Sequence, residues 1–308
     1  MILILEIVLP VFALIGIGYG LAAKKYLSAE HIDGLTKYTQ GFALPVLLFL
    51  SISQADLTLF SAKLYLGYYG PAFLIFFAAT LGARYLLRRN ILDAVVIGFG
   101  ALFSNSVLLG LPIMERAYGS DSLDINFAFI AVHVPFCYFL GILTMEFLSA
   151  KELNFASTLK TVLKRVFSIA IMIGIMLGFA ANLINLPFSG VLEDSLELIA
   201  TTALPVALVG LGGILVRYRL QDHIGQTLYI LIFSMALFPA LVWGAGSWMH
   251  LPQQSIQSSA LMAAMSPGIN IFIFATLYDR AKGVCASAVV LGTGLALITI
   301  SLWLAVLS

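Results

Sequence analysis

The sequence predicts an all-α membrane protein with ten transmembrane helices. They form two inverted five-helix repeats, with broken crossing helices four and nine. Three observations support this: the composition, the spacing of apolar runs, and matching words in the two halves. Hydrophobic residues make up 61% of the 308 residues and charged residues 10%, with a mean hydropathy of +1.04. Soluble domains are about 45–50% apolar and about 25% charged. The chain is therefore expected to lie in a lipid bilayer, and its net charge of +1 gives no reason to expect nucleic acid as a partner.

Apolar runs long enough to cross a bilayer recur along the chain. A hydrocarbon core about 30 Å thick needs about 20 apolar residues in a helix. The candidate spans are residues 2–22, 34–53, 64–87, 92–117, 125–148, 166–186, 195–216, 225–248, 255–279 and 284–307. The first run lacks a basic start and carries Glu6, so it is interpreted as a span and not as a cleaved signal peptide. The predicted organisation is a first repeat at 1–148, a connecting loop at 149–165 and a second repeat at 166–308.

The basic residues predict the orientation, because cytosolic loops are enriched in Lys and Arg. Thirteen of the 16 Lys and Arg residues fall in or beside the odd-numbered connections, and only Lys63 and Arg116 fall on the other side. Lys37 lies at the cytosolic end of span two, where its stem can reach the interface. Both termini are therefore expected outside, and the 149–165 loop in the cytosol.

Short sequence motifs recur in the two halves at near-constant spacing. IGIGYGLAA at 15–23 and IGIMLGFAA at 173–181 share six of nine letters, and ALPV occurs at 43–46 and at 203–206. Tyr118 and Tyr278 end spans four and nine at the same spacing of 160 residues. Because each half has an odd number of spans, the second half enters the membrane upside down relative to the first. This is the inverted repeat of many secondary transporters.

Helix breakers and small polar residues interrupt spans four and nine near their centres. The interruptions are Ser104, Asn105 and Ser106 in SNSVLLGLPI, and Ser266, Pro267, Gly268 and Asn270 in MSPGIN. One proline in one membrane helix favours a simple kink, but matched interruptions in inverted halves point to a binding site at the bilayer midplane. We predict that both helices are discontinuous near Asn105 and Pro267 and approach one another there.

Such a site suits an anion, because the broken helices turn open N–H groups and a partial positive charge toward it. Lys, Arg, Asp and Glu are missing from the middle of the predicted spans. An anion would therefore be held by backbone dipoles with Asn105, Asn270 and nearby hydroxyls such as Ser51. His133 is the ionisable residue placed deep in the membrane, and it is either a packing residue or a group that contacts substrate or changes charge.

Neither a metal nor a cofactor is expected. Cys137 and Cys285 sit in apolar runs without paired spacing, which predicts core positions and no disulfide. An intramembrane enzyme would need a nucleophile with a base or a metal cluster, and the sequence offers His133 no such partner. The chain is not expected to be an enzyme.

The stretches SNSVLLGLPIMERAYG (104–119) and SPGINIFIFATLYD (266–279), with the ALPV-bearing second span, resemble the auxin efflux carrier family. The resemblance covers the whole chain. It implies a carrier with a scaffold domain and a transport domain, in which spans four and nine cross at their breaks. It also implies that Asn105 follows the first crossover, that Ser266 and Pro267 form the second, and that His133 and Tyr138 face substrate.

The resemblance further implies alternating-access transport of a small organic anion. Plant members have Pro where this chain has Ser104, and they have an acidic and a basic residue in span three that this chain lacks. The short 149–165 loop resembles bacterial members, so malonate or malate is a better expectation than an auxin-like acid, and a bacterial inner membrane is the expected location. A sodium-coupled symporter of the related bile-acid type remains an alternative, although acidic sodium ligands near the crossover are not found. The sequence leaves open whether the protein forms a homodimer.

Overall fold

The computed structural model describes residues 2–119, 122–149, 159–160, 163–164, 167, 169–187, 189–218 and 224–308. The chain divides into two compact units. The larger unit comprises residues 1–8, 60–162 and 218–308, and the smaller unit comprises residues 9–59 and 163–217. Each unit therefore takes segments from both halves of the sequence. The predicted connecting loop at 149–165 lies mostly outside the described residues.

Helices account for nearly all of the described structure. In chain order they are α1 Ile2–Ala23, α2 Ala29–Gln54, α3 Ala62–Tyr85, α4 Ile91–Leu102, α5 Leu111–Tyr118, α6 Leu123–Ser149, α7 Ala170–Leu183, α8 Val191–Leu215, α9 Ile224–Trp248, α10 Gln253–Ala263, α11 Asn270–Tyr278 and α12 Lys282–Leu307. Short π-helical turns lie within α2 and α9 and directly before α5.

Seven helices of the described part are long and apolar enough to cross a membrane, namely α1, α2, α3, α6, α8, α9 and α12. They correspond to predicted spans one, two, three, five, seven, eight and ten. Span six contains the shorter apolar helix α7, and spans four and nine are each divided into two helices. The chain is thus an all-helical, multi-pass membrane protein, while the count of ten crossings and the inversion of the halves stay predictions.

Aromatic side chains form the core of the larger unit. Phe99 of α4 stacks on Phe274 of α11 with ring centroids 3.9 Å apart. Gly141 of α6 faces both rings, and a Cβ there would lie 2.7 Å from the Phe99 ring and 3.0 Å from the Phe274 ring. Because only a hydrogen fits at that point, α6 packs directly on the stacked pair. The pair joins α4 of span four to α11 of span nine.

Some prolines in the spans directly follow π turns. Pro112 and Pro239 each occupy the second position after a π turn, at Ser106–Gly110 and Phe233–Leu237. A proline has no N–H for the carbonyl four residues earlier. For Pro239 that carbonyl belongs to Met235, and the Trp303 indole Nε1 donates to it at 2.9 Å. A side chain of α12 thus supplies a donor at the place where α9 lacks one.

Glycines bring the helices of the smaller unit close together. A Cβ at Gly18 of α1 would collide with the Val209 carbonyl of α8, and one at Gly178 of α7 would collide with the Phe49 carbonyl of α2. The Asn182 amide at the end of α7 then caps the end of α2, donating to the carbonyls of Ile52, Ser53 and Ala55 at 2.9–3.0 Å. These contacts fix α7 against α2 without charged groups.

Candidate functional site

The first helix break separates α4 from α5. The last residue of α4 is Leu102, and Phe103 is extended with φ −84° and ψ 93°. Asn105 also leaves the helical region, with φ −79° and ψ 59°, before the chain turns into the π segment at Ser106. Serine and asparagine side chains compete with helical backbone bonds, so this Ser-Asn-Ser run favours the interruption.

The second break separates α10 from α11. The last residue of α10 is Ala263, and α11 starts at Asn270. Between them, Pro267 can neither donate a backbone bond nor continue the helix without a clash. The prediction that spans four and nine are both discontinuous is confirmed.

The two breaks meet as an isolated antiparallel bridge between Ser104 and Pro267. The Asn105 amide donates to the Ser266 carbonyl at 2.9 Å, and the Gly268 amide donates to the Phe103 carbonyl at 3.4 Å. These bonds flank Ser104 and Pro267, which therefore form a pair whose own backbone groups point away from each other. A proline is compatible with that position because no bridge bond needs its N–H. The predicted approach of the two breaks is also confirmed.

Hydroxyl groups cluster beside the first break. The Ser104 Oγ lies 2.8 Å from the Ser106 Oγ, 3.5 Å from the His133 Nε2 and 3.5 Å from the Tyr68 OH. All four side chains are buried, with at most 4% of each residue exposed. His133 also lies 3.8 Å from the Cys137 sulfur, one helical turn further along α6. The predicted residues Ser104, Ser106 and His133 thus form one buried hydroxyl–imidazole cluster.

Two polar side-chain groups at the bridge have no hydrogen-bond partner among the described residues. The Asn105 side-chain amide, in a residue only 8% exposed, makes no hydrogen bond to any described residue. The Ser266 Oγ is fully buried and is likewise without a partner in the described structure. Buried polar groups are normally hydrogen-bonded, so unpaired ones at a helix break indicate a place for a polar ligand.

Asn270 and Tyr138 form a second polar contact near the bridge. The Tyr138 OH donates to the Asn270 Oδ1 at 3.3 Å, which aims the amide oxygen at α6. The Tyr138 ring packs among Phe99, Phe103 and Phe274 at centroid distances of 5.6–6.3 Å. Tyr138 therefore connects α6 to the first residue of α11, while its contact with substrate stays a prediction.

Backbone donors complete the site. Among the described residues, the N–H groups of Ser106, Val107 and Leu108 find no carbonyl acceptor, and neither does that of Asn270. No side chain caps either helix start. The N-terminal ends of two half-helices thus present open donors and partial positive charge beside the unpaired Asn105 amide, an arrangement that favours an anion.

Charged side chains lie away from the bridge. In the described ranges, none of the contacts made by the bridge residues involves Asp, Glu, Lys or Arg, and no three His, Cys, Asp or Glu residues are grouped to hold a metal. The ion pairs of the larger unit lie at helix ends, where Asp93 contacts Arg89 at 3.0 Å and Arg280 at 3.9 Å.

Some residues of the site escape prediction from the sequence, and one prediction lies elsewhere. Tyr68 sits in an aromatic-rich run with nothing in the sequence to mark it, and only the structure shows its contacts with Ser104 and His133. A Cβ at Gly292 of α12 would lie 3.1 Å from the Pro267 ring, a backing contact equally hidden in the sequence. Ser51 lies on α2 in the smaller unit, outside this cluster, so its place in a substrate site stays a prediction.

Many apolar helices, with two interrupted ones joined at a buried polar point, are the features of a membrane carrier. Comparison with known proteins identifies the family. The family model described as membrane transport protein matches residues 3–304. The chain belongs to this family, which includes the auxin efflux carriers.

Individual relatives are distant but similar over nearly their full length. A transporter of Methanothermobacter thermautotrophicus is 23% identical over 98% of both chains. A putative malonate transporter of Rhizobium meliloti is 22% identical over 96% of this chain and 93% of its own. Auxin efflux carrier component 8 of Arabidopsis thaliana is 21% identical over 94% of this chain and 93% of its own. Membership in a transport family agrees with the expectation that the chain is not an enzyme.

Proposed function

We propose that the protein is a secondary transporter that moves a small organic anion across the membrane by alternating access. The proposed substrate is a carboxylate such as malonate, malate or an auxin-like acid. The observation that carries this proposal is the bridge between the two breaks, where the unpaired Asn105 amide lies beside open backbone N–H groups. The name of the Rhizobium relative supports malonate as the first compound to test.

The absence of a cationic side chain from the bridge contacts suits a carrier. A buried Lys or Arg would be left unpaired whenever the site is empty, and moving it between the two faces would be costly. Amides, hydroxyls and helix ends bind a carboxylate without leaving a net charge behind. Asn105 and Asn270 are proposed as direct ligands, with Ser104, Ser106, Ser266, Gly268, His133 and Tyr138 lining the site.

Backbone conformation supports the proposed inverted repeat. Six of the eight described residues with positive φ recur in pairs, namely Lys25 and Asn185, Arg88 and His250, and Gly119 and Asp279. Their spacings are 160, 162 and 160 residues, close to the spacing of the ALPV words. A left-handed residue that ends a helix at the same place in both halves is expected if the halves share one fold.

Glycine contacts in the smaller unit support the same repeat. Gly18 packs on the Val209 carbonyl, and Gly178 packs on the Phe49 carbonyl. Adding 160 to Gly18 gives Gly178, and adding 160 to Phe49 gives Val209. The two contacts therefore join corresponding residues. In one, a glycine of the first half packs on a carbonyl of the second half, and in the other, a glycine of the second half packs on a carbonyl of the first half. With the basic-residue bias, they support ten spans with both termini outside. A bacterial inner membrane is proposed on a different ground, the shortness of the 149–165 loop.

The proposal is tested by binding and by uptake. Purified protein is screened by thermal shift against malonate, malate and indole-3-acetate, with chloride at equal ionic strength as the reference, because a specific ligand raises apparent stability by mass action. A carboxylate that shifts the melting temperature is then tested for uptake into proteoliposomes, with sodium replaced by potassium in a parallel arm. Sodium-dependent uptake would favour the bile-acid type of symporter.

Variants locate the site. Asn105→Ala and Asn270→Ala should each weaken carboxylate binding by about 1–3 kcal/mol, the usual cost of leaving a charged partner short of a buried hydrogen bond. Thr144→Ala is the matched control, since its hydroxyl bonds only to the Leu140 carbonyl of its own helix. Folding should survive in all three. Unchanged uptake in both asparagine variants would overturn the proposed site.

A further inference from the structure

A cavity of about 330 Å³ lies within the smaller unit. It is formed by the end of α1, the start of α2 and the end of α8. Its walls are mostly apolar, with Leu27, Ile32 and Val216 among them, but two basic side chains, Lys25 and Arg217, also line it. All of these residues belong to the odd-numbered connections or to the span ends beside them, the side that the basic residues place in the cytosol.

Arg217 is held in a fixed position at this cavity. Its Nη1 pairs with the Asp33 carboxylate at 2.6 Å, and its Nη2 donates to the Ala29 carbonyl at 2.6 Å. A guanidinium has five N–H donors, so three remain for another acceptor. Asp33 is 65% exposed and offsets one positive charge. Lys25 has no ion pair in the described part of the chain, so its charge is uncompensated.

Lys25 occupies a backbone conformation that is uncommon for lysine. Its φ is +61°, and its amide donates to the Ala22 carbonyl at 2.9 Å to end α1. The matching residue of the second half is Asn185, with φ +48° and an amide bond to the Asn182 carbonyl at 3.0 Å. Gly and Asn are the residues that this conformation favours. The backbone conformation therefore does not favour a lysine at this position, where the side chain lines the cavity.

We propose that this cavity binds the phosphate group of an anionic phospholipid headgroup, with Lys25 and Arg217 as its ligands. A guanidinium and an ammonium are the usual pair of groups for a phosphate ester. Basic pockets between helices at the cytosolic surface suit such headgroups, and the apolar walls can receive the glycerol and the first acyl carbons. The site is separate from the proposed carboxylate site, and only the choice of leaflet depends on the predicted orientation.

Thermal shift of the whole protein in a neutral detergent tests the proposal. Added phosphatidylglycerol should raise the melting temperature, and phosphatidylcholine should not. Glycerol 3-phosphate and inorganic phosphate separate a lipid from a soluble ligand. A shift with glycerol 3-phosphate as large as that with phosphatidylglycerol would overturn the lipid assignment.

Variants test the two ligands. Lys25→Gln and Arg217→Gln should each raise at least tenfold the phosphatidylglycerol concentration needed for the melting-temperature shift. Lys24 is next to the cavity in sequence but outside its lining, so Lys24→Gln should leave that concentration unchanged. Because Arg217→Gln also breaks the pair with Asp33, Lys25→Gly is the sharper variant. It should raise the melting temperature of the lipid-free protein by relieving the left-handed lysine, and it should abolish the lipid shift. A full lipid shift in Lys25→Gly, or an equal loss in Lys24→Gln, would refute the site.

Discussion

The backbone amide of Asn105 donates to the carbonyl of Ser266 at 2.9 Å, joining two helix breaks that lie 161 positions apart in the chain. This bond uses only the backbone of Asn105. The side-chain amide of Asn105 makes no hydrogen bond to any described residue. The backbone of Asn105 holds the bridge together, and its side chain is available for a ligand. Asn105→Ala therefore separates binding from folding, because alanine keeps the backbone donor.

His133 gives a second test of the cluster, because its ring contacts the Ser104 hydroxyl at 3.5 Å. Glutamine can place an amide near that hydroxyl, whereas leucine cannot. We expect His133→Gln to keep carboxylate affinity within about threefold and His133→Leu to lose about 1 kcal/mol, a typical net hydrogen-bond contribution. Isothermal titration with the best carboxylate measures both.

Equal loss of affinity in the two His133 variants would contradict a role limited to hydrogen bonding. The pH profile of uptake by His133→Gln adds a separate reading. A profile that differs from wild type would show that the imidazole also carries a proton during transport. Expression level and melting temperature are the controls for folding.

The helix breaks and their pairing could be predicted from the sequence, because Ser-Asn-Ser and Ser-Pro-Gly are local signals that act on the backbone where they stand. The hydroxyl of Tyr68 and the backing glycine Gly292 could not, since their importance depends on which distant helix packs against them. The same holds for the two units. Gly178 meets the Phe49 carbonyl only after the halves have interleaved, and no local pattern encodes that pairing.

Variants of Trp303 test whether its side chain replaces the hydrogen-bond donor that Pro239 lacks inside α9. Trp303→Phe removes the donor to the Met235 carbonyl, and we expect the free energy of unfolding to fall by about 1 kcal/mol. Adding Pro239→Ala restores a backbone N–H four residues after Met235, so the double variant should recover part of the loss. Thermal unfolding of the three proteins in one detergent checks this. A double variant no more stable than Trp303→Phe would rule out the explanation.

The predicted orientation can be measured with introduced cysteines at exposed positions. Gln253→Cys, at the start of α10, should react with a membrane-impermeant maleimide in intact cells, and Glu30→Cys, in the first turn of α2, should react only after permeabilisation. The native Cys137 and Cys285 are buried and should contribute little labelling. The opposite pattern would reverse the orientation, and labelling of both sites in intact cells would contradict the number of crossings between them.

Gly292 and Gly294 of α12 offer a matched pair for the packing behind the bridge. A Cβ at Gly292 would lie 2.9 Å from the Leu231 Cδ2, 3.1 Å from the Pro267 Cδ and 3.4 Å from the Ser266 Cβ, whereas one at Gly294 meets nothing within 4 Å. The end of the leucine side chain can move aside, but the proline ring cannot move without shifting the bridge. Gly292→Ala should therefore cost about 1–3 kcal/mol of stability by overpacking.

Gly294→Ala should be neutral or slightly stabilising, because alanine favours a helix over glycine by about 1 kcal/mol. Gly292→Ala should also weaken carboxylate binding, since a displaced Pro267 alters the spacing between Ser266 and Asn105. The double variant Gly292→Ala with Leu231→Ala removes the leucine contact and leaves the proline contact in place. Binding that stays weak in the double variant assigns the effect to the bridge, whereas full recovery would assign it to Leu231 and would contradict the proposed support of the site by α12.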